Sequence, residues 1–161
     1  MEVKVKIADM AVLKNSGLLV TVGLGSCVGI ALYEAKLKLG GLAHILLSTS
    51  EHLSAEKRKD MNPAKFADTA IPHLIDNMKQ EGARPQNIVA KIAGGSQLFE
   101  VSQEEMRVGN RNVEAVRQKL ADCSIPLVAE DVGGNYGRTM KLDVSTGEVY
   151  ISTVGRELKV L

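Results

Sequence analysis

The sequence predicts an α/β fold in which helices are layered on mixed sheets, and three observations lead to it. Short runs rich in Val, Ile and Leu recur along the chain, each bounded by Gly, Asn, Ser or Asp. Most of these runs do not alternate strictly between apolar and polar residues. Between them lie two stretches whose apolar residues recur at helical spacing. With 161 residues the chain fits one domain, 1–161, large enough to bury a core without a disulfide or metal staple.

Taken in order, Val3 to Ile7, Leu18 to Val22, Val28 to Tyr33 and Leu42 to Leu47 read as the first four strands. Ser48 to Met61 is polar and without a pattern of its own, so it reads as a lid, a binding loop or a plain surface excursion. Within it, Lys57-Arg58-Lys59 is flanked by Glu51, Glu56 and Asp60 and reads as a solvated loop. The first helix begins at Asn62-Pro63, a capping residue followed by proline where a missing N–H is tolerated. It places Phe66, Ala67, Ala70, Ile71, Leu74, Ile75 and Met78 on one stripe and stops at Gly82. Pro72 lies inside this run and predicts a kink, because it removes a backbone donor. Ile88 to Ile92 is the next strand. The second helix is expected from near Asn110, with Val113, Val116, Leu120 and Ala121 inward, ending before Pro126. Leu127 to Val132, Thr139 to Val144 and Glu148 to Thr153 complete the strands.

Composition removes several function classes. Only 3% of residues are aromatic, so no stacking platform for single-stranded nucleic acid is expected. Lys and Arg number 20 against 19 Asp and Glu, which leaves no basic field to concentrate polyanions. The opening residues lack an apolar leader core, and no stretch approaches the roughly 18 apolar residues that span a bilayer. A cytoplasmic protein with no membrane insertion is the expectation. Cys27 and Cys123 sit in unlike contexts and read as free thiols.

Gly23, Gly25 and Gly29 miss the spacing of a dinucleotide-binding fingerprint, and the residues after them read as strand rather than helix. Gly94-Gly95 and Gly133-Gly134 read as tight turns needing positive φ. His44, His52 and His73 show no metal-ligand spacing with one another or with the cysteines, so neither metal nor cofactor is expected. His52 and His73 read as surface or partly buried residues, and Cys123 as a small buried hydrophobe.

Cys27 and His44 remain. Composition alone would make Cys27 inert packing, since free cysteine is among the most buried residue types. Its setting argues otherwise. Glycines on both sides permit close approach to the thiol and leave the amides of Ser26 and Cys27 available to a developing oxyanion. His44 lies in an apolar strand, where an unpartnered imidazole is costly to bury. A neighbouring imidazolium would convert a thiol of pKa about 8.5 largely to thiolate. Thr21, on the preceding strand, offers a hydroxyl and a carbonyl to hold the imidazole tautomer.

Four segments together resemble the CheD family of chemoreceptor glutamine deamidases, over essentially the whole chain. They are Thr21-Val-Gly-Leu-Gly-Ser-Cys27-Val-Gly29, Gly41-Leu-Ala-His44, Lys91-Ile-Ala-Gly-Gly-Ser-Gln-Leu-Phe99, and Gly109-Asn-Arg-Asn112 with Glu130-Asp-Val-Gly-Gly-Asn-Tyr-Gly-Arg138. The segment after His44 lacks a proline found nearby in many members, and Ala93 stands where a bulkier residue is frequent. The resemblance implies a layered α/β/β/α cysteine-hydrolase fold with mixed sheets, similar to the deamidating necrotizing toxins. It implies a Cys27, His44, Thr21 triad acting on glutamines of methyl-accepting chemotaxis receptors. It also implies a protein partner, the CheC-type response-regulator phosphatase, for which Phe99 is a candidate anchor. Two other readings compete: a non-catalytic regulator of that phosphatase, and a thiol acyl transferase of another kind.

Overall fold

A computed structural model describes residues 1–97 and 103–161, the side chains of 103–107 excepted. In chain order its strands are β1 (Glu2–Lys4), β2 (Asp9–Lys14), β3 (Leu18–Leu24), β4 (Val28–Glu34), β5 (Leu39–Ile45), β6 (Ile88–Gly94), β7 (Leu127–Val132), β8 (Arg138–Asp143), β9 (Val149–Ser152) and β10 (Lys159–Val160). Its helices are α1 (Ala55–Asp60), α2 (Ala67–Gln80) and α3 (Gln103–Asp122). The strands form two sheets, β1-β3-β8-β9-β10 and β2-β5-β4-β6-β7. Both are mixed: β1 runs parallel to β3 and β6 parallel to β7, while the other pairs are antiparallel. This is the α/β class with two mixed sheets that the sequence and the resemblance imply.

At its centre the second sheet is apolar on both faces, which is why β4 and β5 do not alternate. One face packs Val28, Ile30, Leu32, Ala43, Ile45, Ala90 and Ile92 against Ile71, Leu74 and Met78 of α2 and Val116 and Leu120 of α3. The opposite face packs Cys27, Ala31, Tyr33, Leu42 and Ala93 against Leu19, Leu24, Met140, Leu142 and Ile151 of the first sheet. All seven residues of β4 and of β5 are therefore buried. The two long helices lie on one side and the first sheet on the other.

Several element boundaries differ from the sequence expectation. Ser48 to Met61 is not patternless, because Ser54 caps a short helix, α1, by accepting from the Lys57 amide at 3.3 Å. Lys57, Arg58 and Lys59 are solvated as expected, but on a helix rather than a loop. β2 has no counterpart among the strands that the sequence predicts. It forms because the antiparallel ladder from Asp9↔His44 to Lys14↔Leu39 supplies its backbone partners. Asn62 caps Pro63–Lys65, a 3-10 turn, and α2 starts only at Ala67. The stripe read for it is buried throughout. α2 runs through Pro72 without a break, for the proline removes a single bond in the second turn. α3 begins at Gln103, not near Asn110, and Ala121 is exposed, while Asn112 occupies the inward face.

Candidate active site

His44 lies on β5 directly opposite Gly29 of β4, and two residues from Leu42 it faces the space between the sheets. Thr21, on β3 of the first sheet, meets it there. Thr21 Oγ1 donates to the Val5 carbonyl at 2.6 Å and lies 2.7 Å from His44 Nδ1. A hydroxyl has one proton, and a carbonyl can only accept it. The second contact is therefore donated by Nδ1–H of the histidine. In the neutral ring the lone pair then sits on Nε2, which is buried and has no hydrogen-bond partner among the described residues. Burial lowers the His44 pKa to about 4, so the imidazole is neutral at physiological pH.

Cys27 stands in the turn Gly25-Ser26-Cys27 between β3 and β4 and is 7% exposed. It belongs to the same inter-sheet cluster as Leu42, hence to the face His44 occupies. With His44 opposite Gly29, Cys27 is its diagonal neighbour, a relation that spans about 7–8 Å between α-carbons and lets long or ring side chains meet. The resting thiol is not hydrogen-bonded to Nε2. Burial raises its pKa, and its own backbone amide opposes that in part. The expected thiolate–imidazolium pair is thus corrected to a neutral thiol beside a neutral base, because burial penalises both charged forms.

The turn is held through its carbonyls. The Gly25 carbonyl accepts from the Ser96 amide and the Cys27 carbonyl from the Gly95 amide, each at 2.8 Å. Between them the Ser26 carbonyl accepts from Asn112 Nδ2 at 2.9 Å. In a planar trans peptide the N–H points opposite to the C=O. The amides of Ser26 and Cys27 accordingly point away from these anchors; neither donates to a backbone carbonyl among the described residues, and that of Cys27 lies against its own sulfur.

Gly94 and Gly95 have the positive φ expected of them, but their stronger reason is space. A Cβ on Gly94 would lie 2.2 Å from the Cys27 carbonyl oxygen, and one on Gly95 would lie 2.2 Å from Val113. Gly29 differs from its sequence reading. A Cβ there would meet Met140 Sδ at 2.6 Å, so the space is taken by core packing and gives no approach to the thiol.

Behind the turn, the Ser96 hydroxyl donates to the Tyr136 carbonyl at 2.7 Å and accepts from Arg138 Nη1 at 2.7 Å. Arg138, 2% exposed, also pairs with Asp131 at 3.0 Å. The sequence predicts no role for Asn112, Ser96 or Arg138 beyond their place in the segments that carry the resemblance. Asn112 left one signal, a polar residue in register with Val116 and Leu120 on the inward stripe of α3. His73 and His52 are exposed, with His52 edge-on to Phe66 at 6.2 Å. Cys123 is half-buried against the helical core. Phe99 lies outside the described residues. Among the described residues no group of His, Cys, Asp or Glu could hold a metal ion, and no helix is long and apolar enough to cross a membrane.

Residues 46–153 match the family described as CheD chemotactic sensory transduction, a match that begins just after His44. Longer matches link the chain to curated relatives named "Probable chemoreceptor glutamine deamidase CheD". The protein from Clostridium botulinum (strain Hall) is 54% identical over 96% of this chain and 94% of its own. That from Moorella thermoacetica is 51% identical over 99% and 95%. Among solved structures, the crystal structure of Bacillus licheniformis hypothetical protein YfiH covers 71% of this chain and 46% of that one, at 17% identity and a TM-score of 0.42.

Proposed function

The chain belongs to the CheD family, and from that premise we propose that it hydrolyses glutamine side chains of methyl-accepting chemotaxis receptors to glutamate. We assign the chemistry to Cys27 as nucleophile, His44 as general base and acid, and Thr21 as the group that holds the imidazole. The observation that carries this assignment is the Val5–Thr21–His44 chain of hydrogen bonds, which leaves the basic lone pair on Nε2, on the face that Cys27 shares.

The steps follow from the neutral resting pair. As the glutamine carboxamide displaces water, Nε2 takes the thiol proton and sulfur attacks the carboxamide carbon. The tetrahedral oxyanion receives hydrogen bonds from the Ser26 and Cys27 amides. Imidazolium, steadied by Thr21 at Nδ1, returns its proton to the nitrogen, and the C–N bond breaks to release ammonia and leave a thioester. Water then gives a proton to Nε2 and attacks the thioester carbon, and the departing sulfur recovers the proton. The product is glutamate, a new negative charge on the receptor. The catalytic unit is the single domain 1–161, working in the cytoplasm with neither metal nor cofactor.

Mass spectrometry of receptor cytoplasmic helices incubated with the protein tests this directly. A gain of about one mass unit at glutamine, from NH₂ replaced by OH, is expected with wild type and not with Cys27→Ala. Ammonia release by Cys27→Ala at the wild-type rate would refute the assignment. We also propose docking of a CheC-type phosphatase, which requires no sulfur. Cys27→Ala should keep that binding while losing deamidation, and a purely regulatory protein would show no deamidation in either form.

A further inference from the structure

We propose that Asn112 is a positioning residue of the deamidation, aiming the Cys27 amide at the oxyanion. This rests on the reading of Cys27 as the nucleophile. Asn112 is 1% exposed, and its Nδ2 donates to the Ser26 carbonyl at 2.9 Å and to the Leu46 carbonyl at 3.1 Å. An amide NH₂ has two protons, and both are used.

Its place in the fold gives these bonds their consequence. The ladder between β4 and β5 ends at Val28↔Ile45, so Cys27 and Leu46 are the first residues beyond it on either strand. There the Asn112 side chain bridges the two chains in place of another backbone pair. It joins the nucleophile's turn to the segment just after His44. By fixing the Ser26 carbonyl it also fixes the Cys27 N–H in the opposite direction. The flanking peptides are held by backbone donors, the amides of Gly95 and Ser96. The Ser26–Cys27 peptide alone depends on a side chain. A buried asparagine on the apolar stripe of a helix is costly unless it is satisfied, and here both protons serve the turn.

Acylation and alkylation distinguish aiming from mere support. Iodoacetamide reacts with a thiol by displacement at a saturated carbon, which creates no oxyanion, whereas deamidation does. Asn112→Ala and the isosteric Asn112→Asp, assayed where thermal melts show them folded, should lower kcat by about 10²–10³-fold, the range for one lost oxyanion donor. KM and the rate of Cys27 carbamidomethylation should stay within about threefold. Retention of kcat within tenfold, or a parallel fall of kcat and alkylation, would overturn the proposal.

A second measurement needs no variant. A receptor peptide carrying an aldehyde in place of the glutamine carboxamide adds the Cys27 thiol to its carbonyl as a hemithioacetal. With the wild-type protein, NMR should then show the Cys27 amide proton moving downfield while the Asn112 Nδ2 protons stay protected from exchange. An unmoved Cys27 amide or freely exchanging Nδ2 protons would refute the aiming role. Activity that survives Cys27→Ala defeats the parent reading. Activity that needs Cys27 but is indifferent to Asn112 defeats only this one.

Discussion

One proton decides the chemistry open to His44. Because Thr21 gives its hydroxyl proton to Val5, the imidazole must donate at Nδ1 and keeps its base at Nε2. Thr21→Val removes the acceptor but not the volume, and should lower kcat by about 10²-fold, the lower end of what a general base contributes. Thr21→Ser should retain most activity, and steady-state ammonia release compares the two. The pH profile follows from the same residue. With His44 lowered to about 4 by burial, the acid limb of kcat/KM should fall near pH 4, well below an ordinary histidine at 6.5. Burial raises the Cys27 thiol, so carbamidomethylation should keep climbing with pH past the ordinary thiol range. A plateau in that rate already reached near neutrality would show a preformed ion pair instead.

At the level of elements, the site is assembled where several ends meet: the bulged end of β3, the start of β4, the end of β5 and the turn after β6. A register shift between Thr21 and Leu24 ends the regular pairing of β3 with β8 just before the turn that carries Cys27. The turn after β6 then takes over, with Gly95 and Ser96 donating to the turn's carbonyls. Gly94→Ala places a Cβ 2.2 Å from the Cys27 oxygen at a φ of +113°. It should cost at least about 2 kcal/mol, from backbone strain together with displacement of the turn. Urea unfolding gives the loss, and slowed alkylation of Cys27 in the folded variant would report the displaced turn.

For the whole molecule, the buried imidazole makes stability depend on pH. His44 is neutral in the fold and ordinary when unfolded, so folding disfavours its protonation. The contribution is fully present above pH 6.5 and is lost as pH falls from there through about 4. The shift corresponds to about 3 kcal/mol. Urea unfolding at pH 7 and about pH 4.5 should show a steeper loss for wild type than for His44→Gln, whose side chain does not titrate. Equal slopes would mean that the imidazole gains its proton in the fold as easily as outside it. The position that makes His44 a neutral base also makes it a burden on the acidified protein. Two apolar layers share β4 and β5, so a disturbance at the site is transmitted to both cores.

Local chemistry settles much of this protein. The helical stripe from Phe66 to Met78, the Asn62 cap, most strands and the glycine turns at 94–95 and 133–134 are legible because periodicity and φ preferences act over a few residues. Cys27, His44 and Thr21 could be chosen as candidates from residue type and neighbourhood. Tertiary structure decided what sequence distance conceals. β2 exists through pairing with β5, α3 passes through Gly109 because its backbone packs on residues 95–96, and Gly29 serves Met140 rather than a substrate. The protonation of the thiol and imidazole, and the recruitment of Asn112 from α3, depend on burial and on donors remote in sequence. Desolvation and hydrogen-bond geometry are properties of the packed molecule, and no window of neighbouring residues contains them.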